Sequence, residues 1–171
     1  FMIFTVLGHA MKNNSEFYFE DCKITTGTRK KTYWDNFLEP LRKYKKRIET
    51  KYILREPHHH YTEIPPMPDN ITFKLHGYFQ SYKYFHDYRD AIFKLIELDR
   101  QKGQLVLKLP QRDWDHVISL HFRMGDYKSL SQYHPIQPVE YYVKALANFD
   151  ENDEWTVLYF CEKEDIEMVN G

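Results

Sequence analysis

The 171-residue chain has only two cysteines, Cys22 and Cys161. They stand far apart with no Cys-x-x-Cys spacing, which excludes a disulfide framework and a cysteine-based zinc site. No apolar run approaches the ~18 residues that a membrane span needs. No signal peptide is visible. Neither sign of charge dominates: 24 basic and 25 acidic residues leave a formal net charge of −1. Whole-chain electrostatics therefore make no case for nucleic acid as a partner. Internal repeats and low-complexity tracts are also missing.

What is present is a chain with 42% apolar residues, enough for a packed core in one modest domain or parts of two. Charge is patchy. Arg42, Lys43, Lys45, Lys46, Arg47 and Lys51 form a basic run, and residues 150–167 are rich in Asp and Glu. Both read as solvated faces. The chain opens on Phe1 within an apolar pattern (Phe1, Ile3, Phe4, Leu7, Ala10, Met11), spaced for a helix that ends near Asn13-Asn14. The abrupt start, and a helix begun over Asp165–Asn170 that stops at Gly171, read as a fragment of a longer protein.

Along the chain, Phe17–Phe19 reads as a strand. Residues 33–48 are helical in part and interrupted by Pro40. Proline-rich residues 56–69 read as a loop, and 73–75 as a strand running into Gly77. Asp87 is a suitable N-cap for a helix through Leu98. Residues 99–114 are a charged stretch, and the domain boundary is placed there. A strand at 116–122, a helix from Pro138 to Phe149 and a strand at 155–160 make a βαβ unit with parallel strands. Cys161, at the end of an apolar strand, reads as a small buried hydrophobe.

Residues 117–127, Val-Ile-Ser-Leu-His-Phe-Arg-Met-Gly-Asp-Tyr, carry the most information. A β-prone apolar run stops abruptly at His121, Arg123, Gly125 and Asp126. Open α/β sheets place ligands at that end of a strand. Arg123 suits a phosphate, because its planar fork stays charged and donates paired hydrogen bonds. Gly125 allows a turn that a Cβ would obstruct. Other candidates are weaker. His58-His59-His60 has no supporting carboxylate or cysteine spacing. Asp113-Trp114-Asp115 precedes the strand, away from its ligand-binding end. Asn70-Ile71-Thr72 is a glycosylation sequon, relevant only in a secretory setting.

Several blocks, in order, resemble the α-1,2-fucosyltransferases of glycosyltransferase family 11. They are Phe1–Thr5, Thr32–Asp35, Leu75-His-Gly-Tyr-Phe-Gln-Ser-Tyr-Lys-Tyr-Phe85, His121–Tyr127 and Tyr133–Tyr142. His121–Tyr127 is similar to the family's His-x-Arg-Arg-Gly-Asp-Tyr motif, with Met124 at the second arginine. The segment 155–165 corresponds loosely to the family's Phe-Ser-Asp-Asp region, with Cys161-Glu162-Lys163-Glu164-Asp165 in its place. The family's Gly-rich loop would lie just before Phe1.

The resemblance implies an α/β fold of the GT-B kind, with two Rossmann-like halves. Residues 1–111 would form the N-terminal, acceptor-side half. Residues 112–171 would begin the donor-binding half, incomplete here. The implied activity is inverting transfer of fucose from GDP-β-L-fucose to the 2-hydroxyl of a terminal galactose, without metal or cofactor. Arg123 is then the catalytic residue, facing the departing pyrophosphate. His121, Gly125 and Asp126 join Arg123 as donor-binding residues, with Glu162 and Asp165 as further donor-side candidates. Tyr78 and Gln80 are acceptor-side candidates. The partners would be GDP-fucose and a galactose-terminated glycan. A bacterial or viral member would work in the cytosol or at the inner membrane face, an animal one in the Golgi membrane. The alternatives are a non-catalytic relative that binds nucleotide sugar weakly, a transferase using another nucleotide sugar, and an α/β interaction domain. The piece on its own is expected to be inactive.

Overall fold

The computed structural model describes residues 1–21, 33–68, 70–108 and 114–170. Helices alternate with three parallel sheets of two strands each, an α/β arrangement. The chain divides into two compact units, Phe1–Leu109 and Pro110–Gly171.

In the first unit, α1 (Met2–Lys12) turns Leu7 and Ala10 inward, as its apolar spacing requires. It ends where expected. The Asn13 side-chain amide donates to the His9 carbonyl at 2.8 Å, and Asn14 takes φ +47°. Gly8 is what lets α1 approach its neighbour: a Cβ there would lie 2.6 Å from the Tyr84 carbonyl oxygen. Leu7 packs with Phe19, Leu38, Leu41, Ile92 and Ile96, and Phe4, Trp34, Phe37 and Phe85 close the cluster.

β1 (Phe19–Glu20) pairs with β2 (Lys45–Lys46), and β3 (Ile53–Arg55) with β4 (Lys74–His76). The first strand thus starts two residues later than its aromatic run suggests. The helical reading of 33–48 resolves into two 3-10 turns, Tyr33–Asp35 and Glu39–Tyr44. Pro40 sits in the first turn of the second, where its missing N–H costs nothing. β3 is too short to leave a periodic signature.

The helix expected from Asp87 to Leu98 is broken. A 3-10 turn occupies His86–Tyr88, so Asp87 does not cap; Tyr88 precedes α2 (Arg89–Leu95) with no side-chain cap. Glu97 then adopts φ +55°, which no continuous α-helix tolerates. A further helix, α3 (Leu98–Val106), follows where a charged connecting stretch was expected. Gln101 fastens the break, donating to the Ile96 carbonyl at 2.6 Å and the Phe37 carbonyl at 3.1 Å.

The second unit is the expected βαβ element. β5 (Val117–His121) and β6 (Thr156–Phe160) pair in parallel, with Ser119 opposite Leu158 and His121 opposite Phe160. The ladder continues one bond further, from the Phe122 N–H to the Phe160 carbonyl at 2.8 Å. The crossover is α4 (Val139–Leu146). Pro138 is its N-cap rather than its first helical residue. Phe122 packs on Tyr142, ring centroids 4.4 Å apart. α5 (Ile166–Asn170) follows a 3-10 turn at Lys163–Asp165. Cys161 is half-buried rather than buried, since β6 ends at Phe160 and leaves it outside the strand.

Candidate functional site

The chemistry-bearing residues of the second unit meet at the carboxyl ends of β5 and β6. Parallel pairing forces this, because both strands deliver their following loops to the same edge. His121 is the last residue of β5 and is exposed. Arg123 is half-buried, its guanidinium carbon 4.9 Å from the centroid of the Tyr127 ring. Met124, where the motif elsewhere has a second arginine, is buried and serves as a core residue. A 3-10 turn then spans Gly125–Ser129. The Asp126 side chain lies outside the described residues.

Gly125 has φ +22°, a conformation that L side chains rarely adopt. Its N–H donates to Asp165 Oδ2 at 3.0 Å. The other oxygen, Asp165 Oδ1, pairs with Lys128 Nζ. The Asp165 side chain is almost entirely sequestered from water. Lys128's hydrogen bond first, and then Gly125's N–H, hold its carboxyl below the ordinary aspartate range. One carboxylate thus ties the loop after β5 to the turn after β6. Both oxygens are committed within the fold, and Asp165, expected on the donor side, is buried. Glu162 lies beside Gly125: a Cβ on Gly125 would come 3.4 Å from Glu162 Cγ. Glu162 itself is exposed.

Sequence reasoning gave no role to Lys128, Tyr127 or His134. The Tyr127 and His134 rings stack with centroids 4.5 Å apart and planes 16° apart. Tyr127 stood inside the recognised motif, so its position was a usable clue. Lys128 and His134 carried no local pattern.

Tyr78 and Gln80 belong to the first unit, and both are exposed. Their segment is held by Glu56, whose carboxylate accepts from the N–H of Tyr78 at 2.7 Å and of Phe79 at 3.0 Å. Phe79 is buried with φ +49°. At Gly77 a Cβ would fall 2.4 Å from Glu56 Cβ, so only glycine fits. Glu56 was not foreseen either, since its partner segment begins more than twenty residues away.

A cleft of 1380 Å³ lies within the first unit, bordered by His9, Phe17, Tyr18, Lys51 and Phe73. It reaches the family-like blocks only at Leu75 and gathers none of the candidate site residues. Among the described residues, no group of three or more His, Cys, Asp or Glu side chains converges as metal ligands would. No helix among them is long and apolar enough to cross a membrane.

A parallel strand pair presenting a clamped, arginine-bearing loop is the sort of site on which a glycosyltransferase holds a sugar nucleotide. A family model described as glycosyl transferase family 11 matches residues 19–170, a span that includes both the Gly77–Ser81 block and the His121–Tyr127 motif. The chain belongs to that family. Membership implies a fucosyltransferase with a nucleotide-sugar donor and a glycan acceptor. Neither a curated protein nor a solved structure matched the chain.

Proposed function

We propose that this protein is an inverting α-1,2-fucosyltransferase, moving L-fucose from GDP-β-L-fucose to the 2-hydroxyl of a terminal galactose without a metal ion. The observation that carries this reading is Arg123 at the carboxyl end of β5, next to a loop pinned by Asp165. Glycosyl transfer builds positive charge on the sugar carbon and negative charge on the departing pyrophosphate. A fixed guanidinium facing that pyrophosphate stabilises the transition state more than the ground state. A loop already held in place pays little reorganisation when that charge appears. His121, Gly125, Asp126 and Glu162 would contact or frame the donor, and Asp165 and Lys128 would fix the loop. Tyr78 and Gln80, presented by the Glu56 clip, would serve the acceptor. A GT-B architecture is the fold we assign to the enzyme.

Transfer by the full-length protein to a galactose-terminated oligosaccharide, compared across GDP-fucose, GDP-mannose and UDP-sugars with and without chelator, tests the reading. Fucosylation from GDP-fucose alone, insensitive to chelator and giving a 2-linked product by NMR, is expected. Arg123→Ala should lower kcat by about 100-fold or more, the usual cost of removing one fixed charge-stabilising donor. Transfer from another donor, another linkage, or full activity in Arg123→Ala would overturn it.

A further inference from the structure

Arg123 has a flexible side chain, and gripping a diphosphate requires it to give up most of its rotamer freedom. A site gains affinity and rate when that freedom is lost before the ligand arrives. Beside Arg123's other contacts stands a device suited to this. Its guanidinium carbon lies 4.9 Å from the Tyr127 centroid, within cation–π range. Such a contact uses the ring's electron-rich face and consumes none of the five guanidinium N–H donors.

Tyr127 is itself constrained. Its N–H donates to the Met124 carbonyl at 2.7 Å, and its carbonyl accepts from Leu130 at 3.0 Å. The Leu130 carbonyl accepts from the His134 N–H at 2.9 Å, and this turn carries the His134 imidazole onto the Tyr127 ring. Arginine, phenol and imidazole thus form a chain of ring contacts on a loop whose backbone Asp165 already anchors.

We propose that Tyr127, steadied by His134, is the positioning residue that holds the Arg123 guanidinium ready for the donor's pyrophosphate. The inference rests on the donor-site reading above and assigns a role to residues that reading leaves unused. Tyr127 acts through its ring; its hydroxyl is dispensable.

The test has a ligand-free arm and a binding arm. In the free protein, the Arg123 Nε–H resonance should show a ring-current shift in wild type and in Tyr127→Phe, and lose it in Tyr127→Leu. In calorimetric titration with GDP, Tyr127→Phe should bind within about twofold of wild type, and Tyr127→Leu about tenfold more weakly, the loss of one partly desolvated cation–π contact. His134→Leu should fall between them. In an Arg123→Ala background, Tyr127→Leu should cost nothing further, an outcome that a merely structural tyrosine would not give.

An unshifted Arg123 resonance in wild type overturns the proposal without need of any variant. So does a loss in Tyr127→Phe equal to that in Tyr127→Leu, or a Tyr127→Leu effect undiminished in the Arg123→Ala background. If Arg123→Ala leaves GDP affinity unchanged, the donor reading falls and the positioning role falls with it. The resonance shift then still reports whether the ring contact exists.

Discussion

Asp165 is a carboxylate with only 1% of its surface exposed, and its two oxygens are committed to Lys128 and to the Gly125 N–H. Because these partners favour the ionised form, its folded pKa lies below its unfolded one. Its contribution to stability is therefore complete above the ordinary aspartate range and is lost as the pH falls through the depressed folded value. Thermal midpoints of wild type and Asp165→Asn should differ at neutral pH, start to close as the pH drops below about 4, where unfolded aspartate protonates, and meet only below the depressed folded value. Amide exchange should locate the damage, with Gly125 losing protection first in the variant. A second residue-scale expectation concerns Thr5. It is fully buried in α1, and among the described residues its hydroxyl has no hydrogen-bond partner. Thr5→Val keeps the shape and removes the stranded polar atom. A stabilisation of about 1 kcal/mol in denaturant unfolding is expected.

At the scale of elements, three glycines separate packing from propensity. A Cβ at Gly8 meets the backbone at Tyr84 and Phe85, and one at Gly77 meets Glu56, whereas one at Gly103 meets nothing within 4 Å. Gly8→Ala and Gly77→Ala should each destabilise by about 1–3 kcal/mol through overpacking. Gly103→Ala, in the exposed interior of α3, should stabilise by up to about 1 kcal/mol. Chemical denaturation of the three variants checks all of these signs. The same contrast explains what could be read from the chain. α1, α4, β5 and β6 have apolar patterns of their own, so their existence was legible. The break at Glu97 was not, because a left-handed glutamate leaves no compositional mark and Gln101 stabilises it through distant carbonyls. β3 was missed because three residues carry no periodicity. In the site, Arg123 and Gly125 announced themselves by residue type at a strand end. Lys128, His134 and Glu56 act through contacts that only the fold brings about.

For the whole molecule, the balance of charge matters more than any one pair. The net charge is −1 and the isoelectric point about 6.8. Self-repulsion is therefore weakest near neutrality. Light scattering across pH should show greatest self-association near pH 7 and recovery towards pH 9. Among the described residues of the second unit, the buried apolar ones are few, Ile118 and Met124, while much of the apolar surface of β6 and α4 stays exposed. Val157, Tyr159 and Phe160 are each more than two-fifths exposed, as are Val139 and Val143. In a cell, such a surface resembles that of a chain that has not finished folding. Holding chaperones and degradative proteases recognise exposed apolar segments of this kind. Wherever another surface covers the exposed side chains of β6 and α4, they escape that recognition.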